Sequence, residues 1–425
     1  MEHFEETYFP HSHRNNVNKM VHFGNESYFI YSGSGIIPDG TTHIEIDNGF
    51  SNLVGLPTTI THLKFNNNYN QPTPIPPNIT HLTFGNNYNQ STPLPPNITH
   101  LTFGNNYNQS TPLPPNITHL TFGNNYNQST PLPPNITHLI FGNNYNQPTP
   151  LPSNISHLKF GFYYNQPTPL HKNVTHLTFS YDYNQSTPLP QNITHLKFGN
   201  NYNQPTPLPQ NITHLTFGNS YNQKTILPSS ITHLTFGDDY NQQIPLPPNV
   251  THLSFSDGSD YNKPTVLPPN ITHLTFGGSY NKPIILPSNI YYLEFGWSYN
   301  QPTILTPNIT YLIFGYKYNQ PTTLPQKIKK LVFGHDYNQP THLPQKITHL
   351  KFGWNYNQPI YNFPTNLKYL VMGSHFNQYT STILNNYNLT YTNITDAEID
   401  AHVQNNINRI RILSKDLINL CLSYL

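Results

Sequence analysis

The sequence predicts a mainly β protein, a parallel β-solenoid of about eighteen 19-residue turns with a C-terminal α-helical cap. Three observations carry that expectation. Tyrosine falls at 69, 88, 107, 126 and every nineteenth residue to 240, steps by twenty-one to 261, and resumes at nineteen as far as 356. Inside each unit a stretch such as His81-Leu82-Thr83-Phe84 alternates polar and apolar side chains, the pattern of a short strand with one buried face. Proline and glycine then interrupt every unit, so a helix of useful length has no room.

The elements follow in chain order. Residues 1–40 hold no repeat and read as an irregular N-terminal cap. Their apolar run Tyr28-Phe29-Ile30-Tyr31 would cover the first turn, because a solenoid must hide the core exposed at its ends. Residues 41–384 are the repeat array. It opens on a worn unit, since Ile44, Ile46 and Phe50 precede Leu63, Phe65 and Tyr69 by nineteen. The consensus reads L-P-x-N-I-T-H-L-T-F-G-x-x-Y-N-Q-P-T-x, and its expected core is Ile79, Leu82, Phe84 and Tyr88, repeated turn by turn. Each buried Ile, Leu or Phe contributes about 1.5–3 kcal/mol against the entropy of ordering. One turn alone cannot close such a core, so its buried residues need copies above and below.

The asparagine after each tyrosine, at Asn89, Asn108, Asn127 and Asn146, is expected to form a structural ladder, its amide bonding to the turns on either side. The two-residue insertion falls in Ser256–Asp260 and reads as a loop bulge; its two carboxylates are too few for the six to eight oxygens calcium takes. Residues 385–425 read as a linker and an amphipathic helix. Thr395-Asp396-Ala397-Glu398 is spelled as a capping box, and Val403, Ile410, Leu417 and Tyr424 follow at sevens. That helix either caps the last turn or docks on another chain, self-association included.

Composition narrows the function. Charged residues are 9% of the chain and the formal net charge is +1, which argues against a nucleic-acid clamp built on dense lysine and arginine. No apolar run approaches the ~18 residues of a membrane span. The start, MEHFEETYFPHSH, lacks the apolar core of a signal peptide, so an intracellular, cytoplasmic location is expected and the many Asn-x-Thr triplets are repeat spelling rather than glycan sites. Cys421 is the only cysteine, so one chain cannot build a disulfide framework.

Chemistry is sparse. Histidine recurs in twelve turns from His62 to His273, on the strand face opposite the core. A row is not the converging cluster with supporting carboxylates that a zinc site needs, so neither metal nor cofactor is expected. The row is expected to gather like charges near pH 5, loosening the stack or making an anion-binding strip. Nucleophile, base and orienting groups would lie in files, not in a pocket, and no catalytic residue is assigned.

The unit "LTFGNNYNQPTPLPxNI" resembles the FNIP repeat, whose Phe-Asn-Ile-Pro signature stands here as Tyr-Asn-Gln-Pro. Such arrays occur in social amoebae and in giant viruses of amoebae, where the host cytoplasm would be the setting. FNIP units in turn look like leucine-rich repeats, whose L-x-x-L-x-L spacing matches Ile79, Leu82 and Phe84. The resemblance implies a non-enzymatic scaffold that binds one or more unidentified proteins. Candidate surface residues are His81, Thr83, His100, Thr102, His119 and Thr121 on the strands, with Tyr292, Tyr311, Trp297, Tyr316 and Trp354 where the pattern departs from consensus. A structural or self-assembling element, a rigid spacer that could be particle-associated, is the alternative. A substrate-recruiting subunit of a ubiquitin ligase is a remoter one, since some relatives carry an F-box and none is recognised in residues 1–40.

Overall fold

The computed structural model describes residues 19–23, 26–31, 36–47, 56–243, 245–360 and 363–373. The chain divides into two units, Met1–Asn173 and Val174–Leu425. Each is a parallel β-solenoid of nineteen-residue turns.

In the first unit, strands Lys19–Phe23 and Glu26–Tyr31 form an antiparallel hairpin, and the second pairs in parallel with His43–Ile46. Within the segment expected to be an irregular cap, residues 19–23 and 26–31 are therefore strands. The strand Glu26–Tyr31 extends the sheet by one rung, and the hairpin then reverses direction. Seven parallel strands follow, from His43–Ile46 to His157–Lys159, with His62 paired to His81, His81 to His100 and so on to His138 with His157. The second unit holds eleven, from His176–Thr178 to Tyr369–Val371, in the same register. The insertion at Ser256–Asp260 does not disturb it: Phe236 still pairs with Phe255 and Leu253 with Leu274. The helix expected over residues 396–425, whether cap or docking surface, lies outside the described residues.

Local sequence sets the path of each turn. After the strand His81–Thr83, Gly85-Asn86-Asn87-Tyr88 closes a tight turn in which the Tyr88 amide donates to the Gly85 carbonyl at 3.0 Å. A second turn, Pro76-Pro77-Asn78-Ile79, closes from the Ile79 amide to the Pro76 carbonyl at 3.2 Å, with proline at the position that favours its fixed φ. Between them the chain runs extended through proline-rich sequence, where a missing N–H costs nothing on a solvent edge. Glycine is needed at 104 for a packing reason: a Cβ there would stand 1.8 Å from the Gly85 carbonyl oxygen of the preceding turn.

The core is the four expected columns, buried in both units, as at Ile79, Leu82, Phe84 and Tyr88 and again at Ile212, Leu215, Phe217 and Tyr221. Like rings sit on like: Phe84 and Phe103 stack at 5.8 Å and 7°, Tyr88 and Tyr107 at 6.3 Å and 5°. A fifth column, unexpected from the sequence, satisfies the tyrosines. The Tyr88 hydroxyl bonds the buried Thr92 hydroxyl four residues on, and the same pair recurs as Tyr107–Thr111 and Tyr202–Thr206. Thr206 in turn donates to the Gln204 carbonyl at 3.2 Å, so the phenol is the donor of the pair. Isoleucine replaces this threonine at 284, and the Tyr280 hydroxyl loses its partner on its own turn.

Candidate interaction surface

The strand face carries the polar side chains that alternate with Leu and Phe. In the first unit the imidazoles of His43, His62, His81, His100, His119, His138 and His157 stack at 3.9–4.2 Å and 12–19°. In the second, His176 to His273 repeat the column at 4.1–4.2 Å. The hydroxyl residue before the histidine, threonine or at 156 serine, orients the ring. Thr99 donates its one hydroxyl proton to the Thr80 carbonyl at 3.3 Å, so the His100 Nδ1–H, 2.9 Å away, donates to the Thr99 oxygen. Nε2 is then left as an acceptor at the surface. Because neighbouring rings are nearly parallel, these lone pairs run side by side rather than converging on a common point, which is not how a metal is chelated.

Burial and mutual repulsion favour the neutral ring along the middle of the column. His119, His214 and His252 are each lowered to about 4, first by desolvation and then by the adjacent imidazoles; His100 moves the same way. His119, His214 and His252 therefore take up few protons at pH 5, which works against the anion-binding strip expected at that pH. Thr83, Thr102 and Thr121 lie beside the histidines, half-buried in a second column.

The eleven candidate surface residues fall on two different surfaces. Tyr292 and Tyr311 continue the histidine column on the strand face, paired in register, and the Tyr292 hydroxyl donates to the Glu294 carboxylate at 2.7 Å. A shallow depression lies here, lined by His252, His273, Tyr292, Glu294 and Asp257 among others. Trp297, Tyr316 and Trp354 sit instead on the turn edge. There Trp297 stacks on Tyr316 at 3.9 Å and 8°, Tyr316 on His335 at 4.3 Å and 7°, and His335 on Trp354 at 6.2 Å and 9°. Tyr316 and His335 are stacked on both faces, so the middle of this ladder presents ring edges.

The asparagine ladder is built from one half of each amide. Asn70 Oδ1 accepts from the Asn89 amide at 2.9 Å, Asn89 from Asn108 at 3.0 Å, Asn108 from Asn127 at 3.0 Å and Asn127 from Asn146 at 3.1 Å. The following glutamine adds a second bond to the same oxygen, as Gln109 Nε2 does to Asn89 at 3.0 Å.

Two features were missed in the sequence. Ile226, Val266, Ile285 and Ile304 occupy one column after the threonine and are 91, 90, 91 and 91% exposed, with Pro245 completing the run between them. Their signal was the replacement of the usual proline by aliphatics. The second is a concentration of lysine around Lys330, which a running charge count would have shown. Among the described residues no helix is long and apolar enough to cross a membrane.

Short strands laid in parallel at each turn, two tight turns per coil and stacked side-chain columns define a leucine-rich-repeat type of solenoid. The FNIP Repeat family matches in overlapping units that tile the array, among them residues 52–87, 126–163, 164–201, 261–298 and 337–375. The chain belongs to the FNIP-repeat family. Among solved structures it is similar to CroV588, described as a circular LRR protein, at 36% identity and a TM-score of 0.66; the match covers 81% of this chain and 58% of that one. It shares its fold with YopM from Yersinia enterocolitica WA-314, at 17% identity and a TM-score of 0.54, over 81% of this chain and 91% of that one. No match is found among curated proteins.

Proposed function

We propose that the chain is a non-enzymatic scaffold that binds protein through its strand face and turn edge. The observation that carries this reading is the change along the second unit's strand face, from a surface mainly of histidine and threonine to Tyr292, Glu294, Tyr311 and Lys330. Uniform columns serve the stack, whereas a patch of mixed aromatic, acidic and basic side chains at half exposure has the composition of a recognition surface. Its weak overall charge favours recognition by shape and hydrogen bonds over long-range steering along most of its length. Affinity capture tests it, comparing the intact chain with Tyr292→Ala/Tyr311→Ala, with Trp297→Ala/Tyr316→Ala, and with a chain lacking residues 396–425. A partner retained by all three variants removes both surfaces and the terminal segment as recruiters.

One observation favours a second reading, self-association. The fully exposed aliphatics at 226, 266, 285 and 304, flanked by Pro264, Pro283 and Pro302, form an apolar ridge on the order of several hundred Å², the size at which patches on a monomer tend to be functional. Size exclusion with scattering separates the readings: a monomer at all concentrations supports the scaffold, and concentration-dependent growth abolished by Ile285→Lys/Ile304→Lys supports assembly.

A further inference from the structure

Formal charge is unevenly spread. Residues 56–294 hold seven lysines and six carboxylates, a net +1 over most of the array. Residues 295–373 hold seven lysines and one carboxylate, a net +6. That carboxylate, Asp336, is on the turn edge, engaged by His335 Nδ1 at 2.6 Å and Asn355 Nδ2 at 3.1 Å, and so offers nothing to the strand face.

Four of the lysines meet on the last strands of the second unit. Lys330 pairs with His349, and Val332 with Lys351, which pairs onward with Val371. Lys329 and Lys368 occupy the position just before the strand, two turns apart, with Thr348 between them; their amides bond the Thr310 and Thr348 carbonyls. With strands ~4.8 Å apart and ~3.3 Å per residue, the four Cα atoms lie within about 11 Å of one another. Lys329 and Lys368 are exposed, Lys330 and Lys351 half-buried. Lys351 lies in one column between Val332 and Val371, and burial together with Lys330 lowers it to about 8. Like charges held this close, beside apolar side chains, are complementary to a ligand that carries both acidic and apolar groups.

Resting on the scaffold reading, we infer that Lys329, Lys330, Lys351 and Lys368 form the docking site for an acidic segment of a protein partner. Its carboxylates meet the ammonium groups, and its apolar side chains lie along Val332 and Val371. The extent of the patch favours a peptide over a nucleic acid. The basic surface spans three strands, roughly 10 Å. In the column of Lys351 the strand three turns earlier presents Glu294, which would repel a continuing phosphate chain.

Fluorescence anisotropy with the full chain tests this, using three labelled probes: a peptide alternating glutamate and valine, its lysine-valine counterpart, and an oligothymidylate of similar length. The glutamate peptide is expected to bind at low salt, to weaken at least tenfold at several-fold higher salt, and to weaken at least tenfold with Lys329→Glu/Lys368→Glu. Those two side chains are exposed, so the melting temperature should hold, and Lys197→Glu on the same unit's strand face should leave binding unchanged. Preference for the oligonucleotide, equal binding of the lysine peptide, no binding of the glutamate peptide, or indifference to the double substitution each overturn the inference. If a captured partner is lost with Tyr292→Ala/Tyr311→Ala but kept with Lys329→Glu/Lys368→Glu, the scaffold reading survives and this site does not.

Discussion

At the scale of single residues, the molecule depends on pairing polar atoms that its geometry buries. Tyr88 is fully buried, and burial raises its phenol above the ordinary value, so the hydroxyl stays neutral and must find a partner. Thr92 supplies one. Tyr88→Phe should therefore cost about 1 kcal/mol, since it strands the buried threonine hydroxyl as well as losing the bond. At Tyr240 the threonine four residues on is replaced by Ile244, and the phenol oxygen is buried with no hydrogen-bond partner. Tyr240→Phe should be neutral or stabilising, by up to about 1–2 kcal/mol. Chemical denaturation of the two variants decides it, and equal losses would refute the account. The tyrosine period was plain in the sequence, but the role of Thr92 was not. Threonine also recurs on the strands and just before them, and nothing in its spelling separates the buried copy from the surface ones.

At the scale of an element, each column behaves as a unit. The amide oxygen of Asn108 accepts from the Asn127 amide and from Gln128 Nε2, both at 3.0 Å. Asn108→Ala should remove both rungs, cost about 1–2 kcal/mol and speed hydrogen exchange at the Asn127 amide while leaving the Leu101–Leu120 strand pair protected. The histidine column makes a pH prediction. His119, His214 and His252 have folded values of about 4 against 6.5 when unfolded, so between those values the unfolded chain binds more protons than the folded one. Stability is therefore full above pH 6.5 and falls as the pH drops toward 4. The melting temperature should fall between pH 7 and 5 with the folded column still mostly neutral, and His100→Asn/His119→Asn/His138→Asn should flatten that slope. That a loss at pH 5 should be expected was legible from the row of histidines. Its route was not, because the sequence shows the spacing of the rings but not the depth at which they sit.

At the scale of the whole molecule, whole turns are interchangeable parts. Residues 114–132 repeat 95–113 letter for letter, and their strands pair Leu101 to Leu120 and Leu120 to Leu139. Removing 114–132 should leave the remaining columns in register, with a melting temperature within a few degrees of the parent. Removing 114–122 instead breaks every column at the joint and should abolish cooperative melting. Circular dichroism of the two deletions separates the outcomes. The same one-dimensional logic lets the insertion at Ser256–Asp260 pass as a bulge: the Ser259 amide turns back to the Ser256 carbonyl at 2.9 Å, and the Tyr261 ring still stacks on Tyr280 at 6.1 Å.

Period, strand positions, the four apolar columns and the register were determined by the sequence alone, because a repeat of constant length leaves one way to bury Ile, Leu, Phe and Tyr together. Three-dimensional packing decided the rest: that the N-terminal segment adds a hairpin, that the loop aromatics stack on each other, that burial disfavours protonation of the central imidazoles, and that four lysines converge. Those outcomes depend on distances between side chains and on their access to water. Spacing along a chain sets which residues become neighbours, and only the folded surface sets how close they come and what solvent still reaches.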